Sequence, residues 1–321
     1  MNSEIGRDEL GQLGPRIGKG GQAEVYLLPD FRLPDVAGQL VYKQYFGDQS
    51  APHGLRGIVR VRSKLNPRDR QRMDAIACWP ARAVRENGAV LGVVMPLIPD
   101  SFFQERTLPS GRPLRGPREV QNLFIGADLA VRLGMPRASA ADRIAVCRDL
   151  AGALSFLHGL GVVFGDVNAK NALFRLTPDP TVMLVDCDAV RIRGSAAVVR
   201  QLNAPDWNPP EGAVLTQETD VYKLGLFVLR TLAPGPGSSV SRDPERVRGV
   251  LDGPGFRLLE STLAGVPAQR PTAAEWYRYF ARRTPRREAG AASSAPAGAR
   301  EPTVTSGWLR DPATGSWVRA R

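Results

Sequence analysis

The sequence predicts an α+β fold, and three observations carry the prediction. Up to about residue 99 the apolar residues come in short alternating or continuous runs bounded by glycine and proline, as strands do. Beyond residue 139 they recur at helical spacing in several long segments. Between these helical segments, two short apolar runs, Val162 to Phe164 and Val182 to Val185, read as buried strands that end in polar clusters. A chain of 321 residues with 43% hydrophobic content can hold one two-lobed domain or two small ones.

Residues 1–12 have no clear periodicity and are expected as a loose lead-in. Ile17-Gly18-Lys19-Gly20-Gly21-Gln22-Ala23-Glu24-Val25-Tyr26 then joins a glycine cluster to a strand-like run. Glycines without a Cβ let such a hairpin close over phosphates, although an ordinary hairpin turn looks the same. Leu40-Val41-Tyr42-Lys43-Gln44-Tyr45 alternates, so if Val41 faces the core, Lys43 faces the same way. An inward lysine costs several kcal/mol unless its charge is paired, which implies an anionic partner such as the phosphates of a nucleotide. The alternative is a register slipped by one, with Lys43 on the solvated face of an edge strand.

The segment from Pro67 reads as a helix with Met73, Ile76 and Ala77 on one face and Pro80 just beyond it. Gly88 to Pro99 reads as a hairpin turn followed by a buried strand that stops at prolines. Asp100 to Arg118, rich in proline and glycine, reads as a long loop. Ser139 and Asp142 are a capping signal for a helix from about Ala140 to His158, with Ile144, Cys147, Leu150, Ala151, Leu154 and Leu157 on its apolar face. A buried helix beginning near Glu218 and an amphipathic one from Ala273 to Arg282 follow. From 284 to 306 the composition shifts to a flexible linker, and 307–321 carries two Trp-containing runs around a Pro/Gly turn, a hairpin that needs a docking surface to be stable.

The polar clusters are Phe164-Gly165-Asp166-Val167-Asn168-Ala169-Lys170-Asn171 and, fifteen residues later, Asp186-Cys187-Asp188. A carboxylate, an amide five residues on and a second carboxylate after a strand suit phosphoryl transfer: one acid orients a hydroxyl, and the amide and the other acid offer hard oxygens to Mg²⁺. Read as a local feature, Asp166 and Asn171 would only cap backbone in a loop.

At these residues the chain resembles the eukaryotic-type protein kinase family, as a divergent bacterial member, over roughly residues 13 to 283. The resemblance implies a two-lobed kinase-like fold, with an N-lobe over 13–99, a C-lobe over 100–283 and a nucleotide between them. It implies ATP and Mg²⁺ as cofactors, with Asp166 as the base and Asn171 and Asp186 as metal ligands. It implies nucleotide contacts from Gly18, Lys19, Gly20, Gly21, Val25, Lys43, Met95 at the adenine gate, the C=O of Pro96 and the N–H of Ile98. Glu211 with Arg270, and Asp220 against the catalytic loop, are its structural braces. The departures are specific. Phe164-Gly165 stands where the family has His-Arg, Asn168 where it has Lys, and Cys187-Asp188 where it has Phe-Gly. Lys170 is the candidate to replace the missing Lys. No Glu occurs between Val25 and Arg85 to pair with Lys43, so Asp74 is the candidate partner, against its alternative as a solvated helix charge.

The function implied is ATP-dependent phosphorylation of a protein Ser or Thr. A pseudokinase that serves as a nucleotide-binding scaffold, and a small-molecule kinase sharing the Gly-Asp-x4-Asn loop, are the alternatives. The partner expected is a protein substrate or regulator. Net charge is +11 with only five lysines, an Arg bias without the aromatic-interleaved basic stripe of a dedicated nucleic-acid binder. Widely spaced Cys78, Cys147 and Cys187 indicate neither a disulfide framework nor a zinc site. The longest apolar stretch, Val221 to Ala233, is interrupted by Lys223 and Arg230, and a cytoplasmic location is expected.

Overall fold

A six-stranded sheet carries Lys43 on one of its inner strands. The computed structural model describes residues 2–46, 54–107, 110–188, 190–192, 205–212, 215–284, 308–310 and 317–319. In chain order the sheet strands are β1 (Glu4–Gly6), β2 (Arg16–Lys19), β3 (Ala23–Leu28), β4 (Leu40–Tyr45), β5 (Arg82–Glu86) and β6 (Ala89–Pro96). Their spatial order is β1-β5-β6-β4-β3-β2, antiparallel except for the parallel β1–β5 edge. The lead-in is therefore docked rather than loose, with Ile5 and Leu10 buried. A strand of three residues is too short to show a period.

Alternation along the strands gives the sheet two covered faces. One face, with Leu28, Leu40, Tyr42, Val84 and Val94, packs on Ile5, Leu10, Leu33 and Val36. The other, with Ala83 and Val93, joins the main core through helices α1 (Leu55–Ser63) and α2 (Pro67–Ile76). Helix α2 begins where Asn66 accepts the Asp69 N–H at 2.9 Å, with Pro67 in its first turn. Helix α1 lies inside a segment for which no helix is predicted above.

After β6, residues expected as a loop form a hairpin, β7 (Phe103–Thr107) against β8 (Pro113–Pro117). The prolines that suggested a loop stand at the two ends of β8, where a missing N–H is tolerated. Helices α3 (Ala127–Arg132) and α4 (Ala140–Gly159) follow, the latter closed by the expected Ser139–Asp142 capping box. Short strands β9 (Val162–Val163), β10 (Ala172–Arg175), β11 (Thr181–Leu184) and β12 (Arg191–Ile192) pair β10 with β11 and β12 with β9. Helices α5 (Gln217–Leu232), α6 (Gly253–Leu263) and α7 (Ala273–Arg283) complete the helical part.

Helix α5 is buried from Thr219 to Leu232 and is the axis of this part. A helix buried all round must satisfy its own polar groups. Arg230 donates to the carbonyls of Asp206 (2.7 Å) and Ser241 (3.3 Å), while Asp220 and Lys223 turn to the polar loop after β9. Leu150, Leu154 and Leu157 of α4, Phe227 and Val228 of α5, and Trp276 and Phe280 of α7 share one apolar cluster with α1, α2 and the sheet. Each such side chain contributes about 1.5–3 kcal/mol by leaving water.

No helix among the described residues is long and apolar enough to cross a membrane. The backbones of β13 (Trp308–Arg310) and β14 (Trp317–Arg319) form an antiparallel pair, β13 near β2 and β14 near β8. The expected linker over 284–306 lies outside the described residues beyond Thr284.

Candidate active site

Asp166 stands in the loop between β9 and β10, and its carboxylate is held by two amides. Asn168 Nδ2 donates to Oδ1 at 2.7 Å, and Asn171 Nδ2 donates to Oδ2 at 2.6 Å. The Asn168 side-chain oxygen accepts the backbone N–H of Lys170 (2.8 Å) and of Asn171 (3.1 Å), a local turn that fixes its own amide. Asn168, read as a lost charge in the sequence, is thus a holder of Asp166. Burial raises the Asp166 carboxyl above its ordinary range, against lowering by Asn168, by the Lys223 ammonium and by Asn171. Lys170 projects into solvent and makes no ion pair among the described residues.

The loop is braced from below by α5. Asp220 accepts the N–H groups of Phe164 and Gly165, each at 2.7 Å, and its Oδ2 lies 3.1 Å from His158 Nε2. Lys223 Nζ donates to the carbonyl oxygen of Gly165. Gly165 has φ +78, a backbone conformation that an arginine at this position would adopt only under strain. Further along, Arg270 meets Glu211 in a two-pronged pair at 2.6 and 2.8 Å and also donates to the Glu218 carbonyl at 3.0 Å. The braces implied by the resemblance are both present as contacts.

Asp186 follows β11, whose antiparallel pairing with β10 brings it beside the Asn171 loop; the Val185 N–H donates to the Asn171 carbonyl at 2.9 Å. From the sheet, Lys43 Nζ reaches Asp186 Oδ1 at 3.3 Å, across 143 residues of sequence. Lys43 faces inward as the alternation predicts, with 16% of its side chain exposed. Its nearer partner is Asp188, whose Oδ2 lies 2.8 Å from Nζ and also accepts the Tyr45 hydroxyl. Burial alone would lower the Lys43 pKa, but Asp188 and Asp186 overcome it and raise it. Burial raises Asp188, and Lys43 and Tyr45 more than offset this, so its pKa is lowered.

Asp74 is not the partner of Lys43. Its carboxylate faces the fully buried guanidinium of Arg62, with both bonds at 2.7 Å. Asp188 and Tyr45 escaped the sequence reading. The available signals were a second acid two residues after Asp186 and an aromatic hydroxyl two residues after Lys43, on the same face of β4.

The glycine hairpin joins β2 to β3, with Val25 opposite Lys43 in the β3–β4 register. Lys19 lies 3.3 Å from Glu24, which also holds Arg16 at 2.6 Å, so the Lys19 ammonium is engaged within its own hairpin. Gly18 is in β2, and Gly20 and Gly21 form the turn; the Gly20 N–H donates to the Ala23 carbonyl at 2.8 Å. Met95 and Pro96 end β6, opposite Val41 and Leu40, and Ile98 follows with a partly buried side chain. The structure therefore brings Lys43, Asp166, Asn171 and Asp186 into one neighbourhood and leaves Lys170 at its exposed rim.

No family model matches the chain. The chain is similar to a protein named Protein kinase YegI from Escherichia coli (strain K12), 24% identical over 238 residues that cover 71% of this chain and 32% of that one. It spans about a third of the length of this curated relative. The likeness supports a distant kinase-like relationship, with which the mixed α+β architecture is compatible.

Proposed function

We propose that the chain is a phosphotransferase of protein-kinase type that moves the γ-phosphoryl group of ATP, with Mg²⁺, onto a protein Ser or Thr hydroxyl. The observation that carries this is the approach of Lys43 to Asp186 at 3.3 Å, beside an Asp166 whose carboxylate Asn171 holds at 2.6 Å. A lysine from the sheet and an acid–amide–acid set from the helical part then face one place. The similar protein's name supports the reaction class. The Asp220 and Glu211–Arg270 contacts favour the protein-kinase branch over small-molecule kinases.

Asp166 orients the acceptor hydroxyl and takes its proton, a role to which a raised carboxyl pKa is suited. Lys43 holds the α- and β-phosphates under the Gly18–Gly21 turn. The donor chemistry fits Mg²⁺: Asp186 offers a half-exposed carboxylate, and Asn171 keeps an amide oxygen while its nitrogen is turned to Asp166. Bound there, the ion would neutralise charge on the β- and γ-phosphates. Adenine would take the C=O of Pro96 and the N–H of Ile98, with Met95 at the gate. In this reading 13–99 is the N-lobe, 100–283 the C-lobe, and the cytoplasm the place of work.

Incubation with Mg-ATP and a panel of protein acceptors, followed by mass spectrometry, tests the proposal, with Asp166→Ala and Asp186→Ala alongside. Phosphorylated Ser or Thr in the parent reaction, lost in both variants, is expected. Mg-ATP binding without any transfer would instead make the chain a scaffold, and transfer confined to small molecules would make it a small-molecule kinase.

A further inference from the structure

The contacts around Lys43 assign a duty to Asp188 that rests on the phosphotransferase reading above. A lysine that must grip two phosphates needs a carboxylate behind it, or its long side chain spends binding energy on being ordered. The helices nearest the sheet do not supply one. There is no Glu between Val25 and Arg85, and Asp74 of α2 is held by Arg62. Asp186 touches Lys43, but at 3.3 Å and with half its side chain exposed, and the reading above assigns it to the cation. Asp188 is nearer at 2.8 Å, only 8% exposed, and fixed from a second direction by the Tyr45 hydroxyl. Tyr45 stands two residues from Lys43 on the same face of β4, so strand, ammonium, carboxylate and phenol form one closed contact.

We propose that Asp188, held by Tyr45, is the positioning acid for Lys43. Its consequence is a change in what the lysine senses. Lys43 is coupled to the segment that carries Asp186, so forming the cation side of the site and aligning the lysine become one event. Helices α1 and α2 are tied to each other through Arg62 and Asp74 and have no side-chain hydrogen bond or ion pair to Lys43 among the described residues.

The test uses the whole chain and an acyl-phosphate derivative of ATP, which transfers its acyl group to a lysine amine held against the phosphates. Labelling of Lys43 is read by mass spectrometry, with Lys43→Met as the blank, and KM for ATP and kcat are measured in parallel. Asp188→Asn keeps the shape and removes the charge; labelling should fall, and KM for ATP rise, by about 10- to 100-fold, more than kcat falls. Asp188→Glu should recover part of both. Tyr45→Phe should move both in the same direction by less, and it carries the test alone if the Asn variant does not fold. A labelled parent whose Asp188→Asn and Tyr45→Phe variants label equally well overturns the role of Asp188 and leaves the phosphotransferase reading intact. A parent whose Lys43 takes no label overturns both.

Discussion

Arg62 and Asp74 face each other in a two-pronged ion pair, Nε to Oδ1 and Nη2 to Oδ2, both at 2.7 Å, and the guanidinium has no exposure to solvent. The same guanidinium donates to Asp35 Oδ2 at 2.7 Å and to the Asp35 carbonyl at 2.6 Å, while Arg82 of β5 reaches Asp35 Oδ1 at 2.5 Å. One arginine thus locks α1 to α2 and to the chain that leads into β4. Arg62→Met removes the charge and leaves Asp74 and Asp35 short of donors. A loss of about 3–5 kcal/mol in denaturant unfolding is expected, as for breaking one side of a buried pair. Arg62→Lys should recover little, since an ammonium cannot serve both carboxylates in a plane.

Asp35 makes this network sensitive to acid. Burial pushes its carboxyl up, but hydrogen bonds and charge from Arg82 and Arg62 win and hold it at about 2 against an ordinary 3.8. A depressed folded-state pKa means the unfolded chain binds the proton first. The stabilisation is therefore complete above about pH 4 and is lost as pH falls toward 2, amounting to about 2–3 kcal/mol. Stability measured from pH 6 downward should fall more steeply in the parent than in Asp35→Asn, whose curve lacks this proton. Parallel curves would show that Asp35 does not carry the effect.

What the sequence disclosed, and what it did not, follows the range of the interactions concerned. The Ser139–Asp142 cap and the Pro67 start are local chemistry, and both helices begin where those residues stand. The inward face of Lys43 followed from a period of two along one strand. That Asp166, Asn171 and Asp186 lie together was readable because a motif spacing encodes a loop and a strand pair. The partner of Lys43 was not readable in this way, because choosing Asp188 over Asp74 depends on Arg62, an arginine that composition places at the surface and the fold buries completely. Strand β1 is too short to carry a pattern, whereas α1 carries one, with Leu55, Ile58 and Val59 at helical spacing on its buried face, that escaped the sequence reading.

Gly92 bears on the position of Lys43 from the neighbouring strand. A Cβ there would lie 2.2 Å from the Lys43 carbonyl oxygen and 2.7 Å from the Tyr42 ring. Neither can retreat, one being backbone and the other a fully buried ring. Gly92→Ala should push β4 away, costing about 1–3 kcal/mol of stability as overpacking does. On the proposed function, it should also shrink the thermal shift that Mg-ATP would give. A stable variant with an undiminished shift would mean that β6 moves instead.

Tyr42 is one residue from Lys43 and faces the opposite side of the sheet. Its hydroxyl is buried with no hydrogen-bond partner among the described residues, and burial pushes its pKa up to about 12. An unsatisfied buried hydroxyl costs about 1–3 kcal/mol, so Tyr42→Phe should raise the unfolding midpoint and leave Mg-ATP binding unchanged. A lowered midpoint would contradict the unsatisfied state of the hydroxyl.

Lys223 offers a way to separate the brace of the loop from the Lys43 side of the site, where the proposed function puts a nucleotide. Its ammonium is buried in α5 and donates to the Gly165 carbonyl, one residue before Asp166, while Asp220 holds the N–H groups of the same turn. Asp220 fixes where the turn sits, and Lys223 fixes how the peptide between Gly165 and Asp166 is rotated. Lys223→Met keeps the length of the side chain but leaves the buried Gly165 carbonyl without this donor and Asp220 without this cation, so stability should fall by about 1–3 kcal/mol. The Asp166 carboxylate would then depend on Asn168 and Asn171 alone, and kcat should fall about tenfold or more while KM for ATP stays near its parent value. A merely structural lysine would give the same loss of stability with both constants drifting together. An unchanged kcat would mean that Asp220 suffices to hold the turn.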